Sequence, residues 1–92
     1  MPSDKASRSP VQHIEDILDN IDLALEFARG YDFSTFVGDR RTFYAVTRAL
    51  EIISESSRRL PGELKARFPD IDWRGIAAAG NIYRHNYDDV DE

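Results

Sequence analysis

The chain has 92 residues, 12 basic and 17 acidic side chains, a formal charge of −5 at neutral pH and no cysteine. That length sets one domain, the missing cysteine excludes a disulfide framework or a cysteine zinc site, and the negative charge argues against nucleic-acid binding through a long-range positive field. A domain this short buries only about 60–65% of its unfolded surface, so its core is small and an oligomer is expected.

Residues 1–8 are small, polar and aperiodic and are expected to be disordered, leaving a single domain over 9–92. The N-terminal stretch lacks the apolar segment of a secretory signal. No apolar run approaches the roughly 20 residues of a membrane span. A cytoplasmic chain without a membrane partner is the expectation.

Ser9-Pro10-Val11-Gln12 reads as a helix start, with Ser9 as N-cap, Pro10 at the first helical position and Gln12 closing a capping box. Val11, Ile14, Ile17, Leu18, Ile21, Leu25 and Ala28 recur at steps of three and four, an amphipathic stripe. Gly30 suits the position that ends the helix. Tyr31 to Gly38 reads as a connection with aromatic anchors. A second helix is expected from Asp39 to Leu60, with Phe43, Val46, Ala49, Leu50, Ile53 and Leu60 on its apolar face and Pro61 as its stop. A short helical turn fits Pro61 to Phe68. After the breaker Pro69-Asp70, Asp72 can cap a last helix from Trp73 to about His85.

No strand alternation is sustained. The expected fold is all-α, a small antiparallel bundle of two long helices and a shorter pair.

Charge is unevenly spread. Acid dominates the first helix (Glu15, Asp16, Asp19, Asp22, Glu26) and the tail (Asp88, Asp89, Asp91, Glu92), whereas the middle carries Arg40, Arg41, Arg48, Arg58, Arg59, Lys65, Arg67 and Arg74. The middle either faces phosphate or is a solvated mixed-charge surface. No His, Asp and Glu spacing suggests a metal, no carboxylate pair stands out for acid–base work, and no glycine-rich loop is present to cradle a phosphate. No cofactor is therefore expected, and the chain is not itself a nucleotidyltransferase.

Three stretches together carry a resemblance: Leu50-Glu51-Ile52-Ile53-Ser54-Glu55-Ser56-Ser57-Arg58-Arg59-Leu60, then Phe68-Pro69-Asp70-Ile71-Asp72-Trp73-Arg74-Gly75-Ile76-Ala77, then His85-Asn86-Tyr87. In this order and spacing they resemble the HepT-like toxins of the HEPN group of helical domains, over nearly the whole chain from about Val11. The resemblance implies a metal-independent endoribonuclease toxin of a type VII-like toxin–antitoxin pair. It implies a homodimer encoded beside a nucleotidyltransferase antitoxin. The family's active segment is an Arg, four residues, a His, one residue and a Tyr. His85 matches the catalytic His, Tyr87 the Tyr that the partner modifies with a nucleotide, and Asn81 the polar residue after the Arg. The Arg position is Gly80 here. The family commonly continues into a further helix, so the resemblance also implies a C-terminal helix that these 92 residues do not contain.

The chemistry can be judged residue by residue. Cleavage of RNA by its own 2′-hydroxyl needs a proton acceptor, a donor to the leaving oxygen and a cation for the phosphorane charge. An imidazole serves as acid or base near neutral pH. Asn81 lies one helical turn before His85 and can hold one ring nitrogen. Arg84 stands above Gly80 on a helix and leans toward the N-terminus, so its guanidinium either takes the place of the missing Arg or simply favours the helix C-terminal dipole.

The remaining candidates read as structural. His13 is a structural histidine near the first helix start, Trp73 and Tyr83 are core or interface aromatics, Glu55 holds a helix–helix hydrogen bond, and Ala77-Ala78-Ala79-Gly80 lets another helix approach. Three functions remain open. The first is the ribonuclease; the second is a catalytically inactive helical dimer that binds, or presents substrate to, a partner nucleotidyltransferase; the third is a purely structural dimer. The missing Arg and acidic tail favour the second, and retained Asn81, His85 and Tyr87 the first.

Overall fold

The computed structural model describes residues 8–79. They form α1 (Pro10–Ala28), α2 (Phe33–Gly38), α3 (Arg40–Arg58), α4 (Gly62–Ala66) and α5 (residues 73–79), and there is no strand among the described residues. The starts of α1, α2, α3 and α5 each have a side-chain cap. The Ser9 hydroxyl accepts from the Gln12 backbone N–H at 3.2 Å, and the Gln12 side chain accepts from the Ser9 N–H at 2.8 Å. This reciprocal pair satisfies two donors that a helix N-terminus would otherwise leave open. Gly30 sits at φ +83°, the left-handed conformation that a side chain resists, and turns the chain out of α1.

The segment expected to be only a connection, Tyr31 to Gly38, contains α2. Asp32 and Thr35 build a second capping box, with the Thr35 N–H on Asp32 at 2.9 Å and the Asp32 N–H on the Thr35 hydroxyl at 3.0 Å. Six residues are too few to show periodicity, and the box alone marks the helix. Asp39 then caps α3, accepting from the Thr42 N–H at 3.1 Å and from the Tyr31 hydroxyl at 2.7 Å.

Both cap carboxyls are held below their ordinary value of 3.8. The Thr35 N–H and then its hydroxyl do this at Asp32, and the Tyr31 hydroxyl followed by the Thr42 N–H at Asp39. A depressed folded-state pKa means that the stabilisation is complete above about 3.9 and is lost as pH falls through the lower folded value. Thermal melts by circular dichroism are therefore expected to drop most steeply below that pH, and Asp39→Asn should flatten the acid limb. An acid limb identical to wild type would show that the Asp39 carboxylate contributes nothing.

The two long helices pack against each other and α2 lies on α3. The core side chains of α3 are Phe43, Val46, Ala49 and Ile53, with Leu60 just beyond it; Leu50, expected among them, is half-buried. In contrast, α1 does not turn its whole apolar stripe inward. Only His13 is buried on it, and the half-buried positions Ile17, Asn20, Ala24 and Ala28 continue that face. Val11, Ile14, Leu18, Ile21 and Leu25 remain 38–67% exposed.

Small side chains at 24 and 28 let α1 lie close to α3, which rotates the larger aliphatic ones toward solvent. Part of that outward face lines an apolar groove of about 360 Å³ with Leu60, Phe68, Trp73 and Ile76. Among the described residues no helix is long and apolar enough to cross a membrane.

Of the segment expected to be disordered, only Arg8 is described, and it pairs with Asp16. Residues 1–7 lie outside the described residues.

Candidate functional site

The approach to residues 80–87 is built by α3, α4 and α5. Asp72 caps α5 by accepting from the Gly75 N–H at 3.0 Å. A Cβ on Gly75 would meet that carboxylate, which would have to turn aside. The Trp73 indole N–H is shared between the Lys65 and Phe68 carbonyls, both at 3.1 Å, and ties the start of α5 to the end of α4. As expected, Trp73 is a packing residue: it is half-buried and lines the apolar groove.

Two side chains of α3 then fasten α5. The Ser54 hydroxyl donates to the Ile76 carbonyl at 2.8 Å, and Arg58 Nη2 donates to the Ala77 carbonyl at 3.0 Å. Ser54 is 1% exposed, and a hydroxyl that deeply buried must be bonded to avoid a desolvation penalty. The half-buried alanines 77 to 79 bring the backbone of α5 close enough for these bonds.

Glu55 does not make the helix–helix hydrogen bond expected of it. It is exposed and bonds within its own helix end, to Arg58 Nη1 at 3.2 Å and to Arg59 Nε at 2.9 Å. The physical reason is register: position 54 faces α5, and position 55 is turned about 100° away. Ser54 and Arg58 therefore take the role assigned to Glu55. A signal was present, since Ser54 and Ser57 continue the apolar stripe through Ile53, and polar residues on that stripe need partners.

Asn81, Arg84, His85 and Tyr87, with Gly80 and Tyr83, lie outside the described residues. The structure brings α5 to the edge of that segment and no further.

A second feature lies on the other flank of α3. A cleft of about 270 Å³ opens between the first turns of α1 and the second half of α3, lined by His13, Asp16, Arg48, Glu51, Glu55 and Arg59 among others. His13 is 7% exposed, in keeping with its structural assignment, yet its buried Nδ1 has no hydrogen-bond partner among the described residues. Arg48 pairs with Glu51 at 3.6 Å and Arg59 with Glu55 at 2.8 Å, both at exposed positions. Sequence reasoning did not find this cleft, because it is assembled from two helices far apart in the chain.

A family model described as ribonuclease HepT-like matches residues 17–92, which include the α3 stretch, α5 and the His85-Asn86-Tyr87 segment. The chain belongs to the ribonuclease HepT-like family. A Thermococcus cleftensis protein named "Probable ribonuclease HepT" is 42% identical over 84 residues, covering 91% of this chain and 76% of that protein. A Methanocaldococcus jannaschii protein named "Putative RNase MJ1380" is 36% identical over 76 residues, covering 83% of this chain and 70% of its own length. No solved structure matches the chain. Within that matched region, the Ser54 and Arg58 bonds fix α5 against α3.

Proposed function

We propose that this chain is a metal-independent endoribonuclease toxin that acts in the cytoplasm as a homodimer. The observation that carries the reading is the family match, which runs through residues 80–87. In this reading His85 is the acid or base, Asn81 orients its ring, and Arg84 supplies the phosphate contact that Gly80 cannot. The 2′-hydroxyl of the RNA attacks the adjacent phosphorus, the 5′-oxygen leaves with a proton, and a cyclic phosphate remains. RNA cleavage that persists with excess chelator, together with growth arrest on expression, is the test. An inert purified chain that does not arrest growth would refute it.

Silencing is proposed to occur at Tyr87. A partner nucleotidyltransferase directs the Tyr87 oxygen onto the α-phosphorus of ATP; the phenol loses its proton and pyrophosphate leaves. The resulting phosphodiester carries a negative charge beside His85 and repels the RNA backbone.

Support for the homodimer comes from α1, where Val11, Ile14, Leu18, Ile21 and Leu25 alternate at steps of three and four, the spacing of a helix-pairing seam, and are exposed. Native mass spectrometry after incubation with the partner and ATP is expected to show a dimer carrying AMP on Tyr87. A monomer, or an unmodified Tyr87, would count against the corresponding half.

Gly80 at the family Arg position favours a second reading, an inactive helical dimer that binds or presents substrate to the nucleotidyltransferase. It predicts partner binding with no cleavage.

A further inference from the structure

The charges of the two long helices are segregated. On α1 stand Glu15, Asp16, Asp19, Asp22 and Glu26 with no Lys or Arg, whereas Arg40 to Arg59 holds five arginines and two glutamates. Arg41, Arg48 and the C-cap Arg59, which keeps a right-handed helical conformation, are separated by seven and eleven residues, close to two and three whole turns, so they form one line along the solvent side of α3 and its end. All three are exposed. Tyr44 lies beside the same line, 47% exposed, with the Arg40 guanidinium 5.8 Å from its ring centroid. The cleft with the His13 Nδ1, unpartnered among the described residues, opens between Arg48 and Arg59. An arginine line, an exposed aromatic platform and a polar recess along one helix face are the parts a protein uses to hold a single strand.

We propose that the outer face of α3 carries single-stranded RNA, with Arg41, Arg48 and Arg59 on successive parts of the phosphate backbone and Tyr44 stacking a base. The cleft beside His13 receives another. This rests on the ribonuclease reading for the identity of the strand, and it extends that reading to a surface separate from residues 80–87.

The carboxylates do not block it. The Arg48–Glu51 pair is loose at 3.6 Å and its arginine side chain is 71% exposed, and Arg59 and Glu55 are 57% and 53% exposed. Exposed pairs contribute little, so a phosphate can take the remaining guanidinium donors at small cost. Asp16, Glu51 and Glu55 then border the recess, where a carboxylate accepts from the amino group of a base. The acidic face of α1 repels the strand from the other side and keeps it on α3.

The test is binding of a labelled 2′-O-methyl oligonucleotide, which lacks the attacking hydroxyl, read by fluorescence anisotropy across a salt series. The triple variant Arg41→Gln, Arg48→Gln, Arg59→Gln should bind at least about tenfold more weakly, with a salt slope lower by about 2, since each phosphate contact on a single strand contributes about 0.7. Tyr44→Ala should weaken binding without changing that slope. Unaltered melting temperatures check that the variants fold.

Wild-type affinity and slope in the triple variant would overturn the proposal, as would binding of polyglutamate but not RNA along this face. Cleavage of an ordinary RNA is measured in parallel. Binding through the arginines without cleavage keeps the proposal and removes the ribonuclease reading. Cleavage with binding unaffected by the variants does the reverse, and no RNA binding by wild type removes the proposal.

Discussion

Phe43→Ala is expected to lower the free energy of unfolding by about 3–5 kcal/mol. Phe43 is one of five buried hydrophobic residues among those described, and its ring meets Phe36 of α2 at 5.5 Å between centroids. Removing it takes apolar surface out of the core and leaves a cavity between α2 and α3. A domain of this size has only about 5–14 kcal/mol of stability, so the loss is a large fraction of the total. Urea denaturation should show a lower midpoint at an unchanged slope. Phe43→Leu should lose much less, because most of the volume remains. A loss below about 1 kcal/mol for Phe43→Ala would mean that the α2–α3 contact is not part of the core.

His85→Ala is expected to reduce RNA cleavage by about 10²–10⁴-fold, the usual contribution of a positioned acid or base. The loss should fall on kcat, because the imidazole acts on the proton in transit and not on substrate affinity. The melting temperature of the variant is measured alongside, and a value near wild type assigns the loss to the chemistry. Arg84→Ala separates the two roles left open for that guanidinium. A fall in kcat means that Arg84 stands in for the cation absent at Gly80; equal rates mean that it only favours the helix terminus. Cleavage by His85→Ala at the wild-type rate would remove the family's mechanism from this chain.

Much of the frame was legible in the sequence, for a reason visible at Ser9, Gly30, Asp39, Pro61 and Asp72. Caps and breakers act within three or four residues, so the residues that cause them sit beside their effect. The short α2 escaped because periodicity needs more than six residues, although Asp32 and Thr35 were a readable box. The orientation of α1 also escaped. Its aliphatic residues predict a helix and a stripe, but Ala24 and Ala28 decide which edge can approach α3.

The sequence by itself determined an all-helical chain, the ends of its long helices, the apolar side of α3 and the HepT-like resemblance, all matters of local spacing. Only the tertiary structure decided that Ser54 and Arg58 hold α5 through partners 22 and 19 residues away. The same holds for the outward turn of the α1 stripe and for the cleft that His13 shares with the arginines of α3. Those outcomes depend on contacts between distant segments, where the competition among packing, desolvation and charge is settled only once the helices meet.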